Sequence, residues 1–467
     1  MLYVPQSGPS KTERVFGRTS QYCPEWLPGE CIEGASAGGR LLAGRYLKHG
    51  APRKSLYPNR LGQGTFRRSP IADRRGERST RRVVSEPSFT IGIEEEYLLV
   101  DREGRDLVAH PPSELLEQGA DRTDGRMTTE FLQSQLEVGT SKCASVPQAA
   151  AEIVELRSTL SEIVTEFGYA IIASSTHPFG TWASQSQTRS ERYDKLEEDH
   201  QVIARRMLIC GMHVHVGLDD DDLRIDLMRQ ASYFLPHMLA LSTSSPFWHG
   251  VDTGLRSFRL SVFDGMPRTG LPEVFESWVD YRRHVQVLAN AGVMEDASKL
   301  WWDLRPSVRY PTLEMRIADV CTNATHGSSV AAIYQCVLWM LHELKRSNQS
   351  WRSYSNMLVE ENRWRAQRYG IDSGMIDFGV GALVPFGDLV DELQEMLAPA
   401  ASELGCSDEL SATRQILETG TSAHRQVAIH EAAVANGAEP QEALREVVDF
   451  LIDETVRCPG PDPDGGL

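Results

Sequence analysis

Three consecutive glutamates interrupt a segment of this chain that otherwise has the composition of a β-strand. Residues 90–101 are rich in β-branched, aromatic and aliphatic side chains, yet Glu94, Glu95 and Glu96 stand near the centre of the segment. Because side chains alternate along a strand, Glu94 and Glu96 share one face and Glu95 takes the other. The paired charges have two explanations: a solvated edge strand, or a divalent cation such as Mg²⁺ that is held by carboxylate oxygens.

Three later segments repeat this pattern, with apolar side chains on one face and charged or imidazole side chains on the other. Their polar positions are Glu137 in 134–140, His213 and His215 in 209–217, and Glu314 and Arg316 in 312–319. Glu130 precedes the first of these segments and is expected on a turn or a separate strand. The two histidines are explained either by a structural role or by contact with a metal or a phosphate.

The shared pattern predicts how these four strands are used. If they are neighbours in an antiparallel sheet, helices can cover the apolar face while the polar face lines a cavity. Carboxylates that share a cavity raise one another's pKa, and two or more Mg²⁺ or Mn²⁺ ions relieve that repulsion. Such ions, with an adjacent arginine, form an apparatus that clamps a nucleoside triphosphate and stabilises charge as its terminal phosphoryl group moves.

Apolar periodicity predicts helices between and after these strands. The predicted helices are 145–168, which begins with a capping box at Ser145, then 190–207, 219–240, 272–291, 387–398, 423–436 and 441–453, the last three within a mainly helical region from 326 onward. The long segment 244–259 is predicted to be a substrate-facing loop that carries Arg256 and Arg259. No P-loop, G-x-G-x-x-G motif or solenoid repeat is present in the sequence.

Composition limits the class of protein. The 467 residues, 41% of them hydrophobic, can form one large α/β or α+β domain or two to three average ones, and they contain no apolar run of the roughly 18 residues that a membrane span needs. The N-terminus lacks the apolar segment of a secretory signal, so a cytoplasmic location is expected. The eight cysteines form no C-x-x-C pair and are read as reduced thiols.

The charge of the chain is unevenly distributed. Residues 1–88 contain 16 Lys/Arg and 7 Asp/Glu, a net charge of +9, whereas residues 89–467 contain 32 and 58, a net charge of −26. So acidic a body repels phosphate backbones, and no nucleic-acid partner is expected. Residues 1–87, rich in Gly, Pro, Ser and Arg, are predicted to be a disordered basic extension, either an arm for an anionic partner or a dispensable tail. Residues 458–467 are predicted to be a flexible tail.

A set of short motifs, in order and at specific spacing, resembles the glutamate–cysteine ligase type 2 (carboxylate–amine ligase) family. The motifs are Gly92-Ile93-Glu94-Glu95-Glu96-Tyr97, Thr176-His177-Pro178-Phe179, Arg192-Tyr193, Met212-His213-Val214-His215-Val216-Gly217, Ser245-Pro246-Phe247, Trp302-Asp303-Leu304-Arg305-Pro306-Ser307, Glu314-Met315-Arg316, Arg368-Tyr369-Gly370 and Arg425-Gln426. The resemblance covers about residues 88–455. It implies an α+β, glutamine-synthetase-like fold in which an antiparallel sheet forms a funnel for ATP and metal, with helices packed on its outer face and 88–457 as the catalytic domain.

The resemblance also implies an activity and a site. Related ligases activate a carboxylate as an acyl phosphate, which an amine then attacks, and the family's named reaction joins L-glutamate to L-cysteine with ATP. By motif position, the Mg²⁺ or Mn²⁺ ligands are expected at Glu94, Glu96, Glu130, Glu137, His213 and Glu314. Arg316 matches the arginine that meets the transferring phosphate. We expect Arg256, Arg259 and Arg305 to bind anionic groups of the cofactor or substrate, because a guanidinium grips a carboxylate or phosphate with two hydrogen bonds.

Two other functions stay open at this stage. The spacing of His213-Val214-His215 also occurs in the metal sites of amidohydrolases, so a metal-dependent hydrolase is one alternative. A catalytically silent nucleotide-binding protein is the other. The expected partners are ATP and amino acids, with no membrane, and the sequence leaves homo-oligomerisation open.

Overall fold

The strand Ile91–Asp101, 11 residues long, is at the centre of the fold and is labelled β1. The computed structural model describes residues 86–457, so the predicted tail 458–467 and almost all of the predicted extension 1–87 lie outside the described residues. The remaining strands, in chain order, are β2 (Met127–Thr129), β3 (Gln135–Gly139), β4 (Tyr169–Ile172), β5 (Met212–Gly217), β6 (Phe247–Trp248), β7 (Val251–Asp252), β8 (Thr269–Gly270), β9 (Trp301–Trp302), β10 (Leu304–Pro306), β11 (Thr312–Met315), β12 (Met375–Asp377) and β13 (Ala382–Val384).

Helices account for most of the chain between and after the strands. In chain order they are α1 (Ser113–Arg122), α2 (Val146–Glu166), α3 (Glu191–His200), α4 (Val202–Arg205), α5 (Asp221–Ala231), α6 (Leu235–Ser242), α7 (Arg259–Phe263), α8 (Trp278–Asn290), α9 (Ala324–Arg346), α10 (Asn356–Tyr369), α11 (Phe386–Leu404), α12 (Ser407–Ser411), α13 (Thr413–Thr419), α14 (Ser422–Ala435) and α15 (Pro440–Thr455). The predicted helical region after residue 326 is therefore confirmed, with the β12–β13 hairpin as an unpredicted interruption.

One seven-stranded sheet organises the described residues. Its order is β10-β11-β5-β1-β3-β2, with β4 paired to the C-terminal half of β1, and every pair in it is antiparallel. The four strands with the two-faced pattern, β1, β3, β5 and β11, are consecutive in this order. The prediction that they are neighbours in one antiparallel sheet is confirmed.

The apolar face of the sheet forms the core with the helices. Ile91, Ile93 and Tyr97 of β1 are buried on this face, and α2 lies close to β1, β4 and α9. Helix α2 buries Leu156 and Leu160 along one side, and each buried leucine contributes about 1.5–3 kcal/mol relative to an exposed one. Packing of this amphipathic helix therefore covers and stabilises the apolar face of the sheet.

Two local predictions need correction. Ser145 is the N-cap of α2, but its side chain makes no capping hydrogen bond, so the predicted capping box is wrong. Gln148 Oε1 instead accepts a hydrogen bond from the Ala144 amide at 3.0 Å. The helix predicted over 272–291 begins only at Trp278, because the side chain of Ser277 caps its first turn by accepting from the Asp280 amide.

No helix between residues 86 and 457 is both long enough and apolar enough to cross a lipid bilayer.

Candidate functional site

Carboxylates from two adjacent strands meet on the polar face of the sheet. Glu96 of β1 and Glu137 of β3 are partners in the strand register, and Glu130 follows β2 on the next strand outward. Carboxylate oxygens of Glu96, Glu130 and Glu137 all lie within 4.8 Å of one another. Alternation along β1 and β3 brings Glu96 and Glu137 together, and the end of β2 adds Glu130.

A second group lies beside the first and shares a member with it. Glu94 of β1 is opposite His213 of β5, and ligand atoms of Glu94, Glu137 and His213 lie within 4.8 Å of one another. The Glu94 carboxylate also faces both imidazoles, with Oε2 at 3.4 Å from Nδ1 of His213 and Oε1 at 3.5 Å from Nε2 of His215. Glu137 therefore belongs to two groups that could each hold an ion.

The shared burial of these carboxylates raises their pKa values. Burial raises the pKa of Glu96 to about 7, with repulsion from Glu130 adding to the increase and Arg259 opposing it. Burial and neighbouring carboxylates likewise raise the pKa of Glu137 well above its ordinary value, and burial raises that of Glu130. A cluster of this kind needs a cation or protons to be stable. Carboxylate oxygens with one imidazole are donors that suit Mg²⁺ or Mn²⁺, so the residues fit such ions.

Glu94 differs from the other three in its electrostatic environment. Burial by itself would raise its pKa, but hydrogen bonds with His213 and His215 lower the pKa of Glu94 below its ordinary value. Glu94 therefore favours its ionised form, whereas burial favours the protonated forms of Glu96, Glu130 and Glu137.

Glu314 lies on the same face and is held by two arginines. Arg305 grips both carboxylate oxygens, with Nε at 2.9 Å from Oε2 and Nη2 at 3.1 Å from Oε1. Arg316 Nη1 contacts Oε1 of Glu314 and lies 3.5 Å from Nδ1 of His213. Burial would raise the pKa of Glu314, but Arg316 and Arg305 lower it below its ordinary value. The guanidinium of Arg316 thus lies between a carboxylate and an imidazole that were both predicted to bind metal.

Buried guanidinium groups at this site retain unused donors. The Nε atoms of Arg316 and Arg259 are buried, and neither has a hydrogen-bond partner in the part of the chain that the structure describes. Buried donors are nearly always satisfied, and an unpaired one costs about 1–3 kcal/mol. Two such N–H groups beside a carboxylate cluster suit a bound anion with several oxygens.

Arg259 lies close to the carboxylate groups because the neighbouring residue, Gly211, has no side chain. Its Nη1 and Nη2 atoms donate to the carbonyls of Ile317 and Arg316 at 3.2 and 3.1 Å. A Cβ atom on Gly211 would lie only 2.5 Å from Nη2 of Arg259. The Gly211 amide in turn donates to Oε2 of Glu96 at 2.7 Å. Gly211 therefore packs against Arg259 on one side and hydrogen-bonds to Glu96 on the other. The sequence pattern did not indicate this role for Gly211.

The other predicted anion-binding arginines have different surroundings. Arg256 pairs with Asp372 at 2.7 Å, and His424 approaches the same carboxylate at 3.2 Å, so the structure does not bring Arg256 into the carboxylate groups. Arg305 is at the site, but its donors are used by Glu314 and by the carbonyls of Ser298 and Leu300.

Tyr193, on α3 outside the sheet, brings its hydroxyl close to Glu130. Its hydroxyl lies 3.3 Å from the Thr129 carbonyl and 3.5 Å from Oε2 of Glu130. Arg192 and Tyr193 form one of the motifs that carry the family resemblance. Thr128, whose hydroxyl is 3.3 Å from Oε1 of Glu137, had no sequence signal beyond its place in a short strand.

Comparisons with known proteins agree with the motif resemblance. A family model described as "Glutamate-cysteine ligase family 2 (GCS2)" matches residues 90–449. A protein of Rhodospirillum rubrum named "Putative glutamate--cysteine ligase 2" is 55% identical over 381 residues, covering 81% of this chain and 98% of that protein. A protein of the same name from Jannaschia sp. is 51% identical over 370 residues, covering 79% of this chain and 97% of its own length.

Two crystal structures share the fold at low sequence identity. A bifunctional glutathione synthetase from Pasteurella multocida aligns with a TM-score of 0.57 and 15% identity, covering 78% of this chain and 52% of that one. A glutamate–cysteine ligase from Francisella tularensis, in complex with AMP, aligns with a TM-score of 0.56 and 13% identity, covering 78% of this chain and 92% of that one. The predicted α+β, glutamine-synthetase-like fold class is confirmed.

Proposed function

Because the chain belongs to the glutamate–cysteine ligase family 2, whose members join a carboxylate to an amine with ATP, we propose that it converts L-glutamate, L-cysteine and ATP to γ-glutamylcysteine, ADP and phosphate. The observation that carries the proposal is the position of Arg316, which contacts Glu314, lies 3.5 Å from Nδ1 of His213, and has a buried Nε with no partner within residues 86–457. We also propose a cytoplasmic location, where ATP and free amino acids are available.

The proposed reaction has two steps. An oxygen of the glutamate γ-carboxylate attacks the terminal phosphorus of ATP, the bond to the bridging oxygen breaks, and ADP leaves. The cysteine nitrogen then attacks the acyl phosphate, an amide bond forms, and phosphate leaves with the bonding electron pair while the amine loses a proton. Both steps build negative charge on phosphate oxygens, and fixed donors that face this charge stabilise the transition state.

The residues of the chain divide into two roles in this proposal. Glu94, Glu96, Glu130, Glu137, His213 and Glu314 would hold Mg²⁺ or Mn²⁺, which supplies positive charge to the triphosphate when bound. Arg316 and Arg259 would donate to phosphate or carboxylate oxygens through their Nε–H groups, which have no partner between residues 86 and 457. Arg305 would act on Glu314, whose two oxygens it grips. Arg256 stays a prediction as a carboxylate contact, with its pair to Asp372 as the competing interaction.

ADP release tests the proposal and separates it from the two alternatives. Purified protein with Mg²⁺, ATP, glutamate and cysteine is expected to release ADP only when both amino acids are present. Hydrolysis of an amide substrate without ATP would favour the hydrolase, and tight ATP binding without turnover would favour the silent nucleotide-binding protein. A screen of other carboxylates and amines for ADP release would identify the substrates if glutamate and cysteine fail.

Substitution of the predicted ligands tests the site itself. Glu94→Ala or Glu314→Ala is expected to abolish Mg²⁺-dependent ATP turnover while far-ultraviolet circular dichroism stays unchanged. Glu403→Ala, at an exposed position of α11, is the matched control and is expected to retain wild-type turnover. Wild-type turnover in either site variant would contradict the metal assignment.

A further inference from the structure

Glu95, the middle residue of the glutamate triplet, points away from the candidate site and into the core. It lies on the helix-covered face of β1 between Ile93 and Tyr97, and its side chain is 1% exposed. Arg157 of α2 grips both of its oxygens, with Nε at 2.9 Å from Oε2 and Nη2 at 2.9 Å from Oε1. The Tyr97 hydroxyl donates a further hydrogen bond to Oε2 at 2.6 Å. A buried carboxylate is thus fully paired directly behind the strand that carries Glu94 and Glu96.

The remaining donors of Arg157 tie this pair to three other parts of the fold. Nη1 donates to the carbonyls of Thr322 and Thr455 at 2.6 and 3.3 Å, and Nη2 donates to the carbonyl of Cys321 at 2.7 Å. Cys321 and Thr322 lead into α9, and Thr455 ends α15. All five N–H groups of Arg157 therefore have an acceptor, and β1 is fixed relative to α2, α9 and α15 through one side chain.

A gain in folding stability does not by itself explain the buried Glu95–Arg157 ion pair. Removing two charges from water costs so much that apolar residues of similar size often stabilise a core equally well or better. The best-attested advantage of a buried polar pair is that it selects one register among alternatives.

Because three glutamates are adjacent, a shift of β1 by one residue would exchange the carboxylates between the two faces of the sheet. Glu95 pairs in the backbone ladders with Val138 of β3 and Met212 of β5, so it lies at the point where β1 is held on both sides. A shift of one residue would turn Glu94 and Glu96 toward the core and Glu95 toward the site. Arg157 carries one positive charge and can neutralise one carboxylate, so it matches only the observed register.

We propose that Glu95 and Arg157 are positioning residues that set the register and depth of β1, and thereby the placement of Glu94 and Glu96 for binding divalent metal. This inference rests on the metal site of the proposed function, but it assigns the pair no contact with substrate or ion. It predicts that the affinity for metal depends on a salt bridge on the opposite face of the sheet.

Mn²⁺ binding without ATP, measured by isothermal titration calorimetry beside thermal unfolding, tests the proposal. The double variant Glu95→Leu/Arg157→Met replaces the ion pair with apolar side chains and is expected to melt near the wild-type temperature. Its affinity for Mn²⁺ is expected to fall by about tenfold or more, as for residues that orient metal ligands from outside the site. Wild-type Mn²⁺ affinity in the folded double variant would overturn the proposal, as would a wild-type protein that binds no Mn²⁺.

A conservative variant keeps the test decisive if the double variant fails to fold. Glu95→Asp retains the charge pair but shortens the side chain by one methylene, so β1 must shift toward Arg157 to keep the bond. Mn²⁺ affinity is expected to weaken several-fold in Glu95→Asp, and unchanged affinity in this folded variant would overturn the proposal. Glu454→Gln is the matched control, because Glu454 is a buried carboxylate that pairs with Arg425 and Asn323 rather than with β1.

The outcome also separates this inference from the proposed function. Weaker Mn²⁺ binding in the variants of a protein that joins no glutamate to cysteine would support the positioning role and refute the ligase activity. If the wild-type protein joins glutamate to cysteine and the variants lose this activity with unchanged Mn²⁺ affinity, the ligase activity is supported and the positioning role is refuted.

Discussion

Arg305 and Glu314 face one another across the β10–β11 pair, and the guanidinium grips both oxygens of the carboxylate. The same guanidinium donates to the carbonyls of Ser298 and Leu300, so the pair connects the edge of the sheet to the segment before β9. A planar, bidentate contact of this kind depends on the shape of arginine as much as on its charge.

Arg305→Lys is therefore expected to be damaging despite keeping the positive charge. Lysine can reach one oxygen of Glu314 but cannot also hold the two carbonyls, and buried groups left unpaired cost about 1–3 kcal/mol. We expect ADP release to fall by roughly tenfold or more and the unfolding midpoint to drop. Steady-state kinetics and urea unfolding measure both quantities. Arg309→Lys, at a nearby exposed arginine, should change neither, and equal effects in the two variants would contradict the role of the bidentate pair.

Glu137 should be the most sensitive carboxylate of the site. Its ligand atoms belong to both groups that could hold an ion, whereas those of Glu94 belong to one. Loss of even an outer partner of a metal ligand costs roughly 10–100-fold, so Glu137→Gln is expected to reduce turnover by about a hundredfold or more. Calorimetric titration with Mn²⁺ should show weaker binding at both positions in Glu137→Gln and at one position in Glu94→Gln. Identical isotherms for the two variants would refute the shared position.

Gly211→Ala should disturb Arg259 although no charged residue is substituted. The new Cβ atom would lie 2.5 Å from Nη2 of Arg259, which is enclosed by the carbonyls of Arg316 and Ile317 and cannot move freely. Overpacking at such a site costs about 1–3 kcal/mol, and we expect a lower melting temperature together with reduced turnover. Gly387→Ala is the control, since within residues 86–457 no atom beyond its chain neighbours and its own helix backbone lies within 4 Å of the added Cβ, and the helix should gain about 0.4–1 kcal/mol. Unchanged melting of Gly211→Ala would contradict the close approach.

Two buried histidines, His237 and His326, should cost the protein stability as the pH falls below about 6.5, whereas the raised pKa values of Glu96, Glu130 and Glu137 act in the opposite direction. Burial lowers the pKa of His237 to about 4, and burial likewise lowers the pKa of His326 to about 4 despite the opposing effect of Glu454. In the unfolded chain these two histidines bind protons below about pH 6.5, whereas in the folded chain they stay neutral down to about pH 4. Their contribution to the free energy of unfolding therefore decreases as the pH falls from 6.5 to 4. One such histidine accounts for roughly 2 kcal/mol at pH 5.

His237→Phe should reduce this acid sensitivity. His237 is buried against the aromatic rings of Phe234, Tyr233 and Phe386, so an apolar ring suits its surroundings. The change in melting temperature from pH 7 to pH 5 is expected to be less negative, or more positive, in His237→Phe than in the wild type. The exposed His110→Gln variant should retain the wild-type difference, and an unaltered pH response in His237→Phe would contradict the assignment.

The sheet and its polar face could be predicted because strand alternation is a local property. The positions of Glu94, Glu96, Glu137 and Glu314 each follow from their own few neighbours in the chain. The partners of charged side chains could not be predicted in this way. Arg157 reaches Glu95 across 62 positions of the chain, and Arg256 reaches Asp372 across 116. Such pairings are decided by packing between elements, which the spacing of residues along one element does not encode.

The order of the strands along the chain has a consequence for synthesis. Glu94 and His213 are 119 positions apart, and Arg316 lies another 103 positions beyond His213. On the ribosome, the acidic part of the site therefore emerges long before the arginines that neutralise it, and its closure waits for a late, long-range contact. A chain terminated before residue 312 would keep Glu94, Glu96, Glu130 and Glu137 together with Arg259 but would lack Arg316, so part of the positive charge that makes the burial of these carboxylates tolerable would be missing.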